Sequence, residues 1–397
     1  MYVELAILAG FIFAYSILSQ GLERTPINGA VVFVGFGLLM GPMGLGWLDL
    51  PVDGEVVSVL AEMTLALLLF SDAANANLKE LRHAYRLPLR LLLLGLPLTI
   101  LFGVGVGVWL FDELGLLEVA ILATMLAPTD AALGKAVVTN EAVPPNIREG
   151  LNVESGLNDG ICVPILFIFL ALVAQSASGD TTSLAVRLTA EAIGIGVGVG
   201  VGVTWLGVSL LEHCERRSWV GESWQQICVP ALSIGCFATA QGLGGSGFIA
   251  CFVGGLLFGR LERLHKARLL EAAEGAGDTL ALLTWVVFGA GLLNASLASI
   301  GWEVVAYAVL SLTVVRILPV FAALLGSGLR PDETLFIGWF GPRGLASIVF
   351  AILVLDAHLP GAETITQTVV CTILLSVLAH GLTANPLVAR LKARLSA

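Results

Sequence analysis

Charge is scarce in this chain. Only 13% of its 397 residues are Asp, Glu, Lys or Arg, 57% are hydrophobic, and the mean hydropathy is +0.93. Such a composition cannot clothe an ordinary water-facing surface, which excludes a soluble enzyme or binding module. Close cysteine pairs are lacking too: Cys162, Cys214, Cys228, Cys236, Cys251 and Cys371 are scattered, mostly through apolar stretches. They read as small apolar fillers, not as a disulfide or metal framework. The five histidines do not cluster, and no basic face accompanies the net charge of -10, so neither a resident cofactor nor a nucleic-acid partner is expected. No Lys or Arg precedes the first apolar run, which begins at Val3, and no convincing small-residue cleavage site follows it. That run reads as a retained helix and not as a signal peptide.

What is present is apolar sequence in helix-length blocks. A bilayer core needs about 20 apolar residues per helix. Spans are predicted at 3–20, 29–47, 55–74, 88–111, 117–139, 149–175, 185–211, 225–242, 245–260, 275–296, 302–326, 333–356 and 364–389. This is an all-α polytopic membrane protein of about 13 transmembrane helices, with residues 1–397 forming one transmembrane unit. Between 225 and 260, the stretch Gly242 to Gly247 reads either as a turn or as a break.

Basic residues test the count independently of hydropathy. Loops after odd-numbered spans, with the C-terminal tail, hold every one of the 20 Lys and Arg residues except Arg187, Arg316 and Arg343, and they include Arg24, Lys79, Arg82 and Arg263. The positive-inside rule then puts the N-terminus outside and the C-terminus in the cytoplasm.

Glycine, at 46 residues, concentrates inside helices, including Gly103, Gly105 and Gly107 and alternate positions from Gly194 to Gly202. These runs lack the strand, turn and Lys of a phosphate cradle. Close helix packing at spacings such as Gly194, Gly198 and Gly202 is the expectation, with a dimer face or a flexible link as the alternative.

The fifth and twelfth spans are interrupted, by Ala127-Pro128-Thr129-Asp130 and by Gly341-Pro342-Arg343-Gly344. Proline removes a backbone donor and glycine loosens the chain, so both helices are expected to unwind there. The breaks lie seven spans apart, and an odd offset gives the two copies opposite orientations. That is the pattern of two inverted six-helix repeats with binding at the crossing.

The densest chemistry lies in Asn152-Val153-Glu154-Ser155-Gly156-Leu157-Asn158-Asp159. Helical periodicity stacks Ser155 on Asp159 and Glu154 on Asn158. Carboxylates inside a membrane cost several kcal/mol unless paired, protonated or ion-bound, which marks an ion or proton site. Asp130 and Arg343 have the signs that suit the ends of broken helices, and Arg343 is also a candidate ion-pair partner for Glu154. Asp159 is then the acid without a permanent cation, with Ser155 and Thr129 as further oxygen donors to a hard monovalent ion. Asp72 reads two ways, as another oxygen donor or as an interfacial acid. Arg316 is expected to meet a carbonyl or a lipid headgroup.

Thr129-Asp130 in a broken helix, Glu154-Ser155 followed by Asn158-Asp159, and Gly341-Pro342-Arg343-Gly344 together resemble the NhaP-type cation/proton antiporters of the sodium/proton exchanger branch. The resemblance implies a cell-membrane homodimer. A core at 84–175 and 302–389 would move against a scaffold and dimer part at 1–74 and 185–296. It implies that Asp159 carries proton or cation in turn, with Ser155, Thr129 and Asp72 as ligands. Asn158 supports the site where electrogenic relatives have a second aspartate, and Glu154 pairs with Arg343. Exchange of Na+ (or Li+ or K+) for H+ would be electroneutral. An intramembrane aspartyl protease using Asp130 and Asp159, and an ion channel, are the rival classes.

Overall fold

In a bilayer every backbone N–H and C=O must find its partner within the chain, so apolar runs of this length fold as helices. The computed structural model describes residues 2–22, 28–48, 55–76, 86–130, 133–138, 140–178, 182–261, 266–296 and 300–395. Arg24, Lys79, Arg82 and Arg263 lie outside these residues. The described residues are helical with no strand, and they make up a multi-pass membrane protein.

The helices are α1 (Tyr2–Leu22), α2 (Gly29–Met40), α3 (Glu55–Asn75), α4 (Arg86–Leu110), α5 (Leu116–Met125), the four-residue α6 (Lys135–Val138), α7 (Pro145–Ser178), α8 (Thr182–Arg216), α9 (Glu222–Gly242), α10 (Gly247–Leu261), α11 (Lys266–Val287), α12 (Trp302–Ala323), α13 (Pro331–Trp339), α14 (Leu345–Asp356) and α15 (Ala362–Leu395). Counting α5 with α6, and α13 with α14, as single interrupted passes gives the thirteen expected. The stretch after Gly242 is a turn, with Gly244 at φ +78°, a conformation that glycine adopts without strain.

Two passes widen where standard turns fail. Pro97 has no amide to offer, and α4 passes through a π turn at Leu91–Gly95. A second π turn, Phe288–Leu292, carries α11 on to Leu293–Ser296.

Helices α7, α8 and α15 are long, at 34, 35 and 34 residues. The 34 residues of α7 and of α15 each extend about 51 Å at 1.5 Å per residue, well beyond a hydrocarbon core of about 30 Å. Helix α1, in contrast, buries no residue, and it meets α2 through Phe11 and Tyr15, which pack on Phe33 and Phe36.

Glycines set the closest approaches, and here one expectation is corrected. Gly194, Gly198 and Gly202 face open space. The packed stripe of α8 is the alternate one: a Cβ at Gly196 would come within 2.7 Å of the Ser246 carbonyl, and one at Gly200 within 2.5 Å of the Ala250 carbonyl. Glycine at every second position furnishes stripes on opposite helix faces, so spacing alone could not say which one meets α10. In α7, Gly156 lies 3.7 Å (from an ideal Cβ) from Asp72 of α3, and Gly160 is pressed by the Phe252 ring of α10.

The two interrupted passes are built alike. Helix α5 opens with the Gly115 amide donating to Glu118 Oε2 (2.9 Å), and α13 with the Arg330 amide donating to Glu333 Oε2 (2.8 Å). Each runs about ten residues before unwinding at Leu126 and Phe340. A satellite apolar cluster gathers Leu87, Leu151, Val320, Ile337 and Val388, joining the ends of α4, α7, α12, α13 and α15 that lie on one side of the breaks.

Candidate functional site

The breaks meet. The Asp130 amide donates to the Pro342 carbonyl at 2.8 Å, so the unwound segments run against each other. The Asp130 carboxylate is then spent on capping: Oδ1 accepts from the Leu133 amide (3.1 Å) and Oδ2 from the Leu345 amide (2.9 Å), the latter at the start of α14. An anion suits a helix N-terminus, where amides have no intrahelical acceptor. Gly344 is required there, because a Cβ would collide with that carboxylate. At the other end of the break, Ser347 Oγ donates to the Met125 carbonyl (2.7 Å), satisfying the last turn of α5.

Beside the crossing stands α7. Thr129 Oγ1, in the first break, lies 2.9 Å from Ser155 Oγ and accepts from Asn158 Nδ2 at 2.8 Å. Thr129, Ser155 and Asn158 are all buried, at 2%, 7% and 0% exposure. Asn158 Oδ1 and Asp159 Oδ1 are buried without a hydrogen-bond partner among the described residues. None of the ion pairs among the described residues involves Asp159. Asp72 faces Gly156 across the α3–α7 contact, and its charge and that of Asp130 are close enough to act on Asp159. The structure thus joins Thr129, Ser155 and Asn158, with Asp159 next along α7 and in electrostatic reach of Asp130 and Asp72.

Glu154 has a different partner from the one expected. Arg316 of α12, not Arg343, holds it, through Nη1–Oε1 at 2.6 Å and Nη2–Oε2 at 2.8 Å, with both side chains 1% exposed. The planar guanidinium fork matches both carboxylate oxygens at once. Arg316 therefore meets neither a carbonyl nor a lipid headgroup. Arg343 turns back on its own break, donating from Nη1 to the Gly341 carbonyl (2.8 Å), while its amide donates to Ser376 Oγ (2.7 Å). Gly341 leaves room for Arg316, since a Cβ would come within 2.6 Å of Arg316 Nε.

Sequence reasoning passed over Ser347, Ser376 and His380, all of which hold the breaks. The available signal was the i, i+4 pair Ser376 and His380 inside an otherwise apolar helix.

Chemically, these groups are hard oxygen donors on and beside the turn of α7 that carries the Asp159 carboxylate, the kind of group that suits a monovalent cation or a proton. No group of three or more His, Cys, Asp or Glu suited to a resident metal occurs among the described residues. Both Asp130 oxygens are engaged as caps, so this acid holds the two breaks together.

The model of the family described as sodium/hydrogen exchanger, transmembrane, matches residues 6–390. The chain belongs to this sodium/hydrogen exchanger family. Among curated relatives, it is 25% identical over 366 residues to the K(+)/H(+) antiporter NhaP2 of Shewanella sp. (strain ANA-3), covering 92% of this chain and 63% of that protein. It is 23% identical over 396 residues to the K(+)/H(+) antiporter NhaP of Alkalimonas amylolytica (98% and 67%), and 25% identical over 380 residues to a Na(+)/H(+) antiporter of Saccharomyces cerevisiae (89% and 38%). This member of the exchanger family thus spans 63% of the length of the NhaP2 relatives it matches. Its fold is that of the sodium proton antiporter MjNhaP1 from Methanocaldococcus jannaschii, at a TM-score of 0.76 and 20% identity over 96% of this chain and 98% of that one.

Proposed function

We propose that the chain is a secondary antiporter that exchanges Na+, or Li+ or K+, for protons across a cell membrane by alternating access. The observation that carries this reading is Asp159, a carboxylate with one buried, unpartnered oxygen and no cationic partner among the described residues, set beside the Thr129–Ser155–Asn158 hydroxyl and amide group at a helix break. A proton and a cation compete for that one acid, and either neutralises it. The neutral site crosses between inward and outward states at lower cost than the charged one, which couples the two fluxes. Ser155, Thr129 and Asp72 serve as cation ligands, and Asn158 supports the site. With an amide at 158 in place of a second acid, exchange is one for one and electroneutral.

The part at 84–175 and 302–389 moves against the part at 1–74 and 185–296, the two halves are inverted repeats, and the functional unit is a homodimer in the bilayer. The N-terminus lies outside and the C-terminus in the cytoplasm. The names of the bacterial relatives favour K+ as a second reading of the cation.

Proteoliposomes loaded with a pH dye and given pulses of Na+, K+ or Li+ test this. Cation-dependent proton movement is expected in the wild type, insensitive to an imposed membrane potential, and absent in folded Asp159→Asn. Sustained exchange by that variant refutes the assignment, and a consistent dependence on potential refutes electroneutrality.

A further inference from the structure

His380 lies on α15 behind the second break, 3% exposed, and its ring packs against Trp339 and Phe340 with centroids 5.4 and 6.3 Å away. Helix α15 grips that break on both sides. Before it, His380 Nε2 lies 2.9 Å from the Trp339 carbonyl, and Thr383 Oγ1 accepts from Trp339 Nε1 at 3.0 Å. After it, Ser376 Oγ accepts the Arg343 amide at 2.7 Å. The two sides are joined at the other ring nitrogen, since His380 Nδ1 is 3.1 Å from Ser376 Oγ and 2.9 Å from the Ser376 carbonyl.

A carbonyl faces each ring nitrogen and carbonyl oxygens only accept; in the neutral ring the proton belongs on Nε2, toward Trp339, the last residue of α13, because Nδ1 has the Ser376 hydroxyl as a donor and Nε2 has none. In the neutral ring Nδ1 is then an acceptor, and the Ser376 hydroxyl is placed to donate to it. The bonds run in one direction: Arg343 N–H to Ser376 Oγ–H to His380 Nδ1, and Nε2–H to the Trp339 carbonyl. Every member is satisfied without a charge.

A second proton reverses one link. Nδ1–H turns to the Ser376 carbonyl, already the acceptor of its own helical turn, and the Ser376 hydroxyl loses its acceptor. The charged groups that act on the ring are Arg343 from the break and Arg316 from α12, the latter already paired with Glu154 of α7. Helix α13 offers it only the Trp339 carbonyl and two rings, and α15 only Ser376 and Thr383. No carboxylate among the described residues lies within ion-pair distance of the imidazole.

We infer that His380 is a positioning residue whose neutral form clamps both sides of the second break, and whose protonation loosens that clamp and slows exchange as pH falls. The inference rests on the exchange activity proposed above. It is tested with the full chain in proteoliposomes between pH 5.5 and 8.5, using whichever of Na+ and K+ drives proton movement in the wild type. His380→Gln keeps one acceptor and one donor but cannot titrate in this range. Its rate is expected within about twofold of wild type at the alkaline end and at least about threefold above wild type at the acid end. A pH profile superimposable on the wild type overturns the proposal.

A second readout is independent of transport. In 15N-histidine spectra of nanodisc-embedded protein, the resonances lost in His380→Gln should report the neutral Nε2–H tautomer at high pH. The Arg343 amide should shift as that ring titrates in the wild type, and not in the variant. An imidazolium or an Nδ1–H tautomer at high pH, or an Arg343 amide indifferent to the titration, overturns the clamp. A wild type without cation-dependent proton movement at any pH instead sinks the antiporter reading, while these spectra still decide the clamp.

Discussion

Glu154→Leu is the substitution with the most sharply defined consequence. It strands the Arg316 guanidinium, which is 1% exposed and whose two terminal nitrogens are held by this carboxylate at 2.6 and 2.8 Å. Removing one member of a buried pair costs about 3–5 kcal/mol, because the survivor stays desolvated without its counter-charge. At about 1.4 kcal/mol per tenfold, the folded-to-unfolded ratio should fall by roughly two to three and a half powers of ten. Replacing both members by apolar side chains, Glu154→Leu with Arg316→Met, should recover most of that loss, since the attraction of such a pair barely exceeds what desolvation takes away. A double-mutant cycle measured by reversible denaturation in mixed micelles reads the coupling directly. Running the same cycle with Arg343→Met discriminates between the two arginines: coupling to Arg343 should be several-fold weaker, because its guanidinium bonds the Gly341 carbonyl and not Glu154. Stronger coupling to Arg343 than to Arg316, or a Glu154→Leu variant as stable as the wild type, would refute the reasoning.

Other perturbations follow from the same geometry. Gly344→Ala drives a methyl into the Asp130 carboxylate that caps α14, and it should cost about 1–3 kcal/mol, read as a lowered denaturation midpoint; an unchanged midpoint would mean the crossing is looser than described. Gly200→Leu, aimed at the Ala250 backbone, should destabilise the protein by a similar amount, about 1–3 kcal/mol or more, whereas Gly198→Leu on the open face should leave the denaturation midpoint of the isolated chain unmoved. Equal effects of the two leucines would overturn the assignment of the packed stripe.

Much of this architecture was legible in the sequence because the bilayer enforces it. Thirteen passes followed from apolar length, checked by the placement of basic residues, and both interruptions followed from Pro128 and Pro342 beside small or polar neighbours. Stacking of Ser155 on Asp159 and of Glu154 on Asn158 needed only helical periodicity. What remained hidden depends on how helices turn toward one another. Glu154 had two arginines within the same C-terminal half, and nothing local to Arg316 or Arg343 says which one faces α7. Alternate glycines on α8 offered two packing stripes with equal right to the contact. In the second half of the fifth pass Asp130 and Lys135 stand among small and apolar residues, and among the described residues there Lys135–Val138 is helical, entered through a turn at Leu133 and Gly134, with the Gly134 amide donating to the Asp130 carbonyl. Ser376 and His380 showed only as an i, i+4 polar pair, and their fastening role was hidden because their partners across the break, the Arg343 amide and the Trp339 carbonyl, are main-chain groups that carry no side-chain signature.

Asp130 ties its own half of the molecule to an amide 215 residues further along the chain. A polypeptide delivered to the membrane from its N-terminus therefore completes the Oδ2 bond of this acid only once Leu345 arrives, late in its synthesis. The early passes can insert but cannot settle, and the first helix break gains its final shape only as the last three passes enter the bilayer. Quality control would then find the nascent protein most vulnerable late, and a truncation that spares Asp159 but removes α14 would leave Thr129, Ser155, Asn158 and Asp159 present and the crossing beside them unmade.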